Sequence, residues 1–537
     1  MRDHDGLGEL RVIGRPGCGK TTFLARQIAF DAERRGGEAV VAVSHTNAAA
    51  KELAGRDLPI PRGNVGTLHS LAYRALGKPP LAQTPELIAE FNAHVHPRLR
   101  IDVDAEAGAR DLEPRLAEGD ALLCEYERYR NLMAPLPPRL APFAKVWEDF
   151  KRQTGSIDFC DMIEFALRDV AACPGDPEVL IADEVQDCSA LQLALLWRWG
   201  ARAEKLITCI DADQSIYGFS GADPEIFTRN PARDTKVLGQ SYRVPKAVHA
   251  WACEWIERNK SHVITPYYPT PAEGAVETIG ACYRDPDLVL PHITAAIDEG
   301  ATIMVLASCG YMLVPLLAAL RRANIPYWNP YRRDQSAWNP LGRRGPGTTL
   351  DAIAAYLAYW RDGQLSWTHD QLAAWLEITT GVVRRGMKQA IPQLLDLGER
   401  PAAPYLLERI FTPEALSWWS DPFSGALDLD AGCKWLAERL VKSRQGVGRY
   451  ALGLAAAHGP DVLDAAPSVV VGTIHSVKGG EADRVMLFPD LSGSAWQQWH
   501  DARGREEIRR VYYVGATRAR DRLLLAEPTT TMAVPWR

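Results

Sequence analysis

The feature that most limits how this chain folds is an eight-residue loop, Gly14-Arg15-Pro16-Gly17-Cys18-Gly19-Lys20-Thr21. It follows the apolar run Leu10-Arg11-Val12-Ile13 and precedes Thr22-Phe23-Leu24-Ala25-Arg26-Gln27-Ile28, which reads as a helix. The pattern G-x-x-x-x-G-K-[ST] between a strand and a helix cradles phosphate. Its glycines let backbone N–H groups curl around the oxygens, and the helix N-terminus adds a favourable dipole. Lys20 is placed to reach the β and γ phosphates, and Thr21 to ligate Mg²⁺. Gly17, Gly19 and Thr22 complete the expected nucleotide-contacting set.

Other short apolar runs end in small polar clusters. They are Ala39–Val43, Val179–Ala182 and Leu206–Ile210, then Ile303–Leu306, Val469–Val471, Val485–Phe488 and Leu523–Leu525. Such runs, separated by helical stretches, predict buried parallel strands of an α/β sheet. They fall into two groups, before about residue 220 and after about 300. A chain of 537 residues exceeds the roughly 250–300 that one core sustains, so two α/β cores are expected. Between the strands, residues 83–154 and 341–463 read as mainly helical insertions. Trp328, Trp338, Trp360, Trp367, Trp375, Trp418, Trp419 and Trp435 lie in or beside the second and are expected to fill its core.

A balance of 47% hydrophobic and 24% charged residues excludes a disordered chain. The net charge of -6 argues against a protein that coats nucleic acid, though it leaves room for a local basic groove. No C-x-x-C pair occurs among the ten Cys, so neither zinc nor an iron–sulfur cluster is suggested. No run of about 18 apolar residues predicts a membrane span. The polar start, MRDHDGLGEL, does not read as a signal peptide, and a cytoplasmic location is expected.

The run Val179–Ala182 ends in Asp183-Glu184-Val185-Gln186-Asp187. Taken alone, this is as readily a solvated acidic turn. Beside a phosphate loop, Asp183 suits Mg²⁺ and Glu184 suits activation of the attacking water. After the run Leu206–Ile210, Gln214 is a candidate γ-phosphate sensor, and Tyr217 and Phe219 offer aromatic faces to bases.

Taken in order, these segments resemble the UvrD/Rep/PcrA branch of superfamily 1 DNA helicases. Val43-Ser44-His45-Thr46-Asn47-Ala48-Ala49-Ala50 resembles motif Ia, and Val65-Gly66-Thr67-Leu68-His69-Ser70 resembles Ib. Asp183–Asp187 resembles II, Asp213–Gly218 III, and Gln240-Ser241-Tyr242-Arg243 IV. Gly472–Glu481 resembles V, and Tyr513–Ala519 resembles VI. The resemblance implies two RecA-like parallel-sheet cores, each with an inserted helical subdomain. The first core would be 1–82 and 155–231, with insertion 83–154. The second would be 232–340 and 464–537, with insertion 341–463.

The same resemblance implies that ATP is hydrolysed between the cores by Lys20, Asp183, Glu184 and Gln214. Arg243 and Arg518 would act as arginine fingers, Tyr242 would stack on the base and Glu481 would bond the ribose. Single-stranded DNA and its junctions with duplex are the implied partners, contacted by His45, Thr46, Thr67, His69, Tyr217, Phe219, Thr473 and His475. The implied activity is 3′→5′ translocation and unwinding. An alternative is the motor subunit of a repair, nuclease or defence complex that unwinds little alone. A small-molecule kinase is disfavoured by the seven ordered motifs.

The sequence departs from the family pattern in four places. No F-x-x-x-x-Q element precedes Gly14, which predicts tolerance of other purine triphosphates. His45 and Phe219 stand where relatives carry Phe and Trp. Only 19 residues follow Arg518, which makes unwinding less secure than translocation and leaves Trp536 as a candidate wedge. Thr380–Lys388 resembles the duplex contact of the second insertion, and equally reads as a basic solvated turn.

Overall fold

The computed structural model describes residues 8–45, 55–101, 117–332, 337–342, 345, 347–362, 367–402, 404–420 and 428–536. Among these, twelve strands form two six-stranded sheets. The first contains β1 (Glu9–Gly14), β2 (Val40–Ser44), β3 (Val65–Thr67), β4 (Val179–Asp183), β5 (Lys205–Ile210) and β6 (Asp234–Leu238), in the order β3-β2-β4-β5-β1-β6. Its pairings are parallel, and the register sets Ser44 beside both Thr67 and Asp183, and Ile13 beside Ile210. The carboxyl ends of five strands therefore line up, and in open parallel sheets ligands bind at such ends.

β2 and β4 are buried at every position because helices cover both faces. Successive residues point to opposite faces. Val40 and Ala42 pack with Leu24 and Ile28 of the helix Lys20–Arg35. Val41 and Val43 pack with Leu68, Leu180 and Leu193 on the other side. Leu24 and Ile28 are fully buried, each contributing about 1.5–3 kcal/mol. That packing holds the helix, and hence its phosphate-facing end, against the sheet.

The first sheet continues through β6, past the boundary drawn at 231. β6 is an exposed edge strand paired to β1; lacking an apolar run, it carries no buried-strand signature.

The second sheet contains β7 (Ala275–Ile279), β8 (Ile303–Ala307), β9 (Tyr327–Trp328), β10 (Val469–Thr473), β11 (Ala482–Leu487) and β12 (Ala519–Ala526), ordered β7-β12-β11-β8-β10-β9. Together the sheets make an α/β protein with two parallel-sheet cores. The chain divides into two compact units. One is residues 1–282, 304–312 and 473–537, and the other is 283–303 and 313–472.

In the first unit, the helices Pro85–His94, Glu118–Asn131 and Ala141–Thr154 share a small core of Ile88, Phe91, Leu123, Tyr126, Phe143 and Trp147. Buried charges tie this subdomain to the helix Phe159–Asp169. Lys151 pairs with Asp158 and Asp161 at 2.7 and 2.6 Å, and Arg130 with Asp161 at 2.7 Å.

In the second unit, helices from Thr349–Asp362 to Gln445–His458 enclose Trp367, Trp375 and Trp435, all buried. Trp367 stacks on Trp375 with ring centroids 5.0 Å apart. Thr380–Lys388 is a turn with two left-handed glycines, Gly381 and Gly386.

Trp536 is a packing residue rather than a wedge. Its Nε1 donates to the Ala526 carbonyl at 2.7 Å, and its ring meets Trp251, Trp255 and Tyr512. Among the described residues, no cysteine forms a disulfide. Among the described residues, no helix is long and apolar enough to cross a membrane.

Candidate functional site

Gly14 ends β1, and Gly17 and Gly19 both adopt φ of 74°, a left-handed conformation that a side chain would strain. A Cβ on Gly17 would also lie 2.6 Å from Ser241 Oγ and 2.7 Å from Arg243 Cβ. That absence of a side chain lets the segment 240–243 lie directly on the loop. Ser241 Oγ donates to the Pro16 carbonyl at 3.0 Å, and the Tyr242 N–H to the Gly17 carbonyl at 2.9 Å. The Tyr242 ring stands 78% exposed beside Gly19, free to take a stacking partner.

Lys20 is buried, and its Nζ donates to the Gly14 carbonyl at 2.7 Å. Burial disfavours its charge, but Glu184, Asp211 and Asp183 outweigh this and hold its pKa above the ordinary value. Thr21 follows it. Thr22 is exposed, and its hydroxyl accepts from Arg56 at 3.3 Å.

Asp183 ends β4 buried, its Oδ1 accepting the Glu184 N–H at 2.9 Å. Glu184 sits at φ 54°, an uncommon conformation for a residue with a side chain and one found at active sites. Burial alone would raise its pKa; Lys478, Lys20, a hydrogen bond from Gln186 and Arg518 instead pull it down to about 2. Glu184 is therefore held ionised inside a cage of cations.

Arg518 is 2% exposed, and its Nη2 donates to Gln214 Oε1 at 3.0 Å. Gln214 in turn donates to Asp211. Lys478 donates to Asp187 and to the Gln214 carbonyl, the latter at 2.7 Å. It also lies 3.7 Å from Glu184 Oε2 and 5.4 Å from the centroid of the Tyr217 ring. Burial raises the Asp187 carboxyl to about 7 despite that ammonium.

Two expected nucleotide contacts, Arg243 and Glu481, are paired with each other. Arg243 Nε lies 2.6 Å from Glu481 Oε2, and Arg520 Nη1 lies 3.1 Å from Glu481 Oε1. Burial raises the Glu481 pKa, but the two arginines lower it overall.

A separate buried network anchors the loop from behind. Arg15 Nη2 donates to Asp213 Oδ2 at 3.0 Å. His262 Nδ1 lies 2.8 Å from the same oxygen, and its Nε2 lies 2.9 Å from Arg15 Nη2. With Nδ1 donating to Asp213, Nε2 is left to accept from Arg15.

The expected nucleic-acid contacts form two matching turns and an aromatic group. At the end of β3, Thr67 Oγ1 accepts the Ser70 N–H at 3.1 Å, while Ser70 Oγ donates to the Thr67 carbonyl at 2.8 Å. At the end of β10, Thr473 and Ser476 repeat the arrangement at 3.3 and 2.8 Å. In both, the threonine oxygen accepts from the backbone and its own proton remains to donate.

His475 contacts the Ile216 carbonyl at 3.1 Å. Its ring lies 6.0 Å from Tyr217 and 5.7 Å from Phe219, and His45 lies 5.4 Å from Tyr217. Phe219 is 60% exposed. Burial lowers His45 to about 3 and His69 to about 4, so both rings are neutral at physiological pH. Thr46 lies outside the described residues.

Sequence reasoning missed Lys478, Asp211, Arg15, His262 and Arg520. Lys478 and Arg15 stood inside quoted motifs, and Asp211 lies three residues before its partner Gln214. Arg15, His262 and Arg520 pair with residues far off in the chain, and their spacing carries no signal.

A phosphate loop at the carboxyl ends of a parallel sheet, facing paired carboxylates and an inserted arginine, defines a P-loop nucleotide-binding protein. An AAA domain model matches residues 8–220, and a UvrD-like helicase C-terminal domain model matches residues 453–528. The chain belongs to the UvrD-like superfamily 1 helicases.

It is 26% identical to DNA helicase II of Escherichia coli (strain K12) over 353 residues, 59% of this chain and 49% of that protein. It is 24% identical to a probable DNA helicase II homolog of Rickettsia felis, covering 96% and 90%. It is also 24% identical to ATP-dependent DNA helicase UvrD2 of Mycobacterium tuberculosis, covering 97% and 76%. The matched segment spans about half the length of the Escherichia coli and Salmonella typhimurium DNA helicase II proteins.

Proposed function

We propose that this protein is an ATP-dependent motor that moves 3′→5′ along single-stranded DNA and opens duplex at single-strand/double-strand junctions. The observation that carries the reading is the half-buried Glu184 carboxylate, 3.7 Å from the Lys478 ammonium and held in its ionised form by Lys478, Lys20 and Arg518. A carboxylate so placed takes a proton from the water that attacks the γ-phosphorus. The three cations stabilise the charge that develops as ADP leaves.

Lys20 and the loop amides bind the β and γ phosphates, and Gln214 links the γ-phosphate position to Arg518. Tyr242 stacks on the base, Glu481 bonds the ribose, and Arg243 joins Arg518 on the γ-phosphate. The hard oxygen donors of Thr21 and Asp183 fit Mg²⁺, which when bound neutralises phosphate charge.

Thr67 and His69 hold one stretch of DNA backbone, and Thr473 and His475 another. Tyr217 and Phe219 carry bases between them by stacking, which is indifferent to sequence. The four-part organisation of two cores and two helical insertions is part of this reading. So are possible protein partners in repair, replication or defence.

The test is ATP hydrolysis with and without single-stranded DNA, followed by unwinding of 3′-tailed against 5′-tailed duplex. DNA should stimulate hydrolysis, the 3′-tailed substrate should open faster, and Lys20→Ala should abolish turnover while leaving DNA binding. Turnover by Lys20→Ala refutes the site assignment, and preference for the 5′ tail refutes the direction. Stimulated hydrolysis with no unwinding of either tail favours a motor subunit that depends on partners.

A further inference from the structure

Arg243 and Glu481 carry different tasks in the proposed reaction, yet the structure joins them at 2.6 Å. Only Nε of Arg243 is on Glu481, and in the proposed reaction the γ-phosphate competes with Glu481 for the same guanidinium, so nucleotide binding is expected to draw Arg243 off this pair. The other Glu481 oxygen is already bonded by Arg520 Nη1 at 3.1 Å. Arg520 is itself fixed, since its Nη2 and Nε lie 2.9 and 3.3 Å from Asp483 Oδ1. Four charges of alternating sign thus run Arg243, Glu481, Arg520, Asp483. Glu481 and Asp483 flank Ala482 at the start of β11, and Arg520 stands next to Ala519, the partner of Ala482 on β12. Sheet register therefore holds the last three together whatever Arg243 does.

Building on the ribose role proposed for Glu481, we infer that Arg520 is a positioning residue for the nucleotide. It is the cation that stays on Glu481 when Arg243 departs, keeping the carboxylate compensated and aimed at the sugar hydroxyls. Without Arg520, Glu481 would be left to Arg243 alone. The pair to be broken would tighten, and the aim of the carboxylate would loosen. Both effects weaken nucleotide binding, and neither touches the hydrolytic group Glu184. The side chains are 50% and 40% exposed, and exposed ion pairs contribute little to folding, so the effect belongs in kinetics rather than in melting temperature.

The experiment compares full-length wild type, Arg520→Ala, Arg520→Lys and Glu481→Gln, measuring hydrolysis of ATP, 2′-deoxyATP and 3′-deoxyATP with saturating single-stranded DNA. Arg520→Ala should raise KM for ATP about two- to fivefold with kcat little changed, the range an exposed ion pair supports. It should also reduce discrimination against the deoxy nucleotides toward that of Glu481→Gln, and Arg520→Lys should recover part of both. If Glu481→Gln leaves sugar discrimination untouched, the ribose reading fails and the role of Arg520 with it. If Glu481→Gln alters discrimination while Arg520→Ala matches wild type in KM and in discrimination, the positioning role alone is overturned. A drop in kcat with unchanged KM and unchanged discrimination overturns it as well.

Discussion

Removing the carboxylate of Asp213 should destabilise the protein well beyond the effect of an ordinary surface change. Among the described residues, Asp213 is the only acid bonded to Arg15, at 3.0 Å with both side chains 5% exposed, and it also accepts from His262. Stripping one partner from a buried ion pair costs about 3–5 kcal/mol, because the remaining charge stays desolvated. Arg15 would retain the Val263 carbonyl at 3.4 Å, the Tyr267 ring at 5.4 Å and the field of Asp211. The lower end of that range, about 3 kcal/mol, is therefore expected for Asp213→Ala. An unfolding entropy of about 2.1 cal/mol/K per residue, over a unit of about 350 residues, converts this to a fall of about 4 °C in Tm. Circular dichroism melts at fixed protein concentration measure it. The double variant Arg15→Met/Asp213→Leu removes both charges and should recover much of the loss, since an apolar pair of similar volume carries no buried charge. The reasoning fails if Asp213→Ala melts within about 1 °C of wild type, or if the double variant is no more stable than the single one.

Stability should also depend on pH through Asp187. Its carboxyl sits near 7 in the folded chain against an ordinary 3.8. Between those values the native state keeps a proton that the unfolded state has released, so this group lowers stability as pH rises from about 4 to about 7. Asp187→Asn should flatten that slope in urea titrations across the window, and an unchanged slope would show that another group sets it. Phe219→Ala should weaken binding of single-stranded DNA by about 1–3 kcal/mol with Tm unaltered, because the ring is largely exposed; anisotropy titrations measure the first and melts the second. Trp536→Ala should lower Tm through loss of its contacts with Trp251, Trp255 and Tyr512. It should leave the ratio of unwinding to hydrolysis as it was, and a selective loss of unwinding would restore the wedge reading.

Local chemistry was the part most legible in the sequence. The strand, loop and helix around Lys20 are continuous in the chain, so spacing alone places Gly17, Gly19 and Thr21. Asp183 and Glu184 end a run that is apolar because β4 is covered on both faces, and the Thr473 turn follows a strand read the same way, whereas the three-residue β3 before Thr67 is only partly buried and gave no such run. Illegible were elements and partners without a local signature. β6 lies at a sheet edge where exposure erases the apolar pattern. Asp213 meets Arg15 across 198 positions and Lys478 meets Asp187 across 291, and neither separation leaves a mark on spacing. Trp536 suggested a wedge by being aromatic and near the end, but a hydrogen bond to Ala526 and three aromatic neighbours absorb it.

Lys478 stands between the Glu184 carboxylate and the Tyr217 ring. One ammonium serves the Glu184 carboxylate, the buried acid Asp187 and the face of Tyr217. Anything that settles on Tyr217 and draws that ammonium toward it withdraws positive charge from Glu184. Thermodynamic reciprocity then requires that a ligand bound beside Glu184 alter affinity at Tyr217 by the same factor with which a ligand on Tyr217 alters affinity beside Glu184. The aromatic face and the acid are two ends of a single lever, and its fulcrum is one side chain.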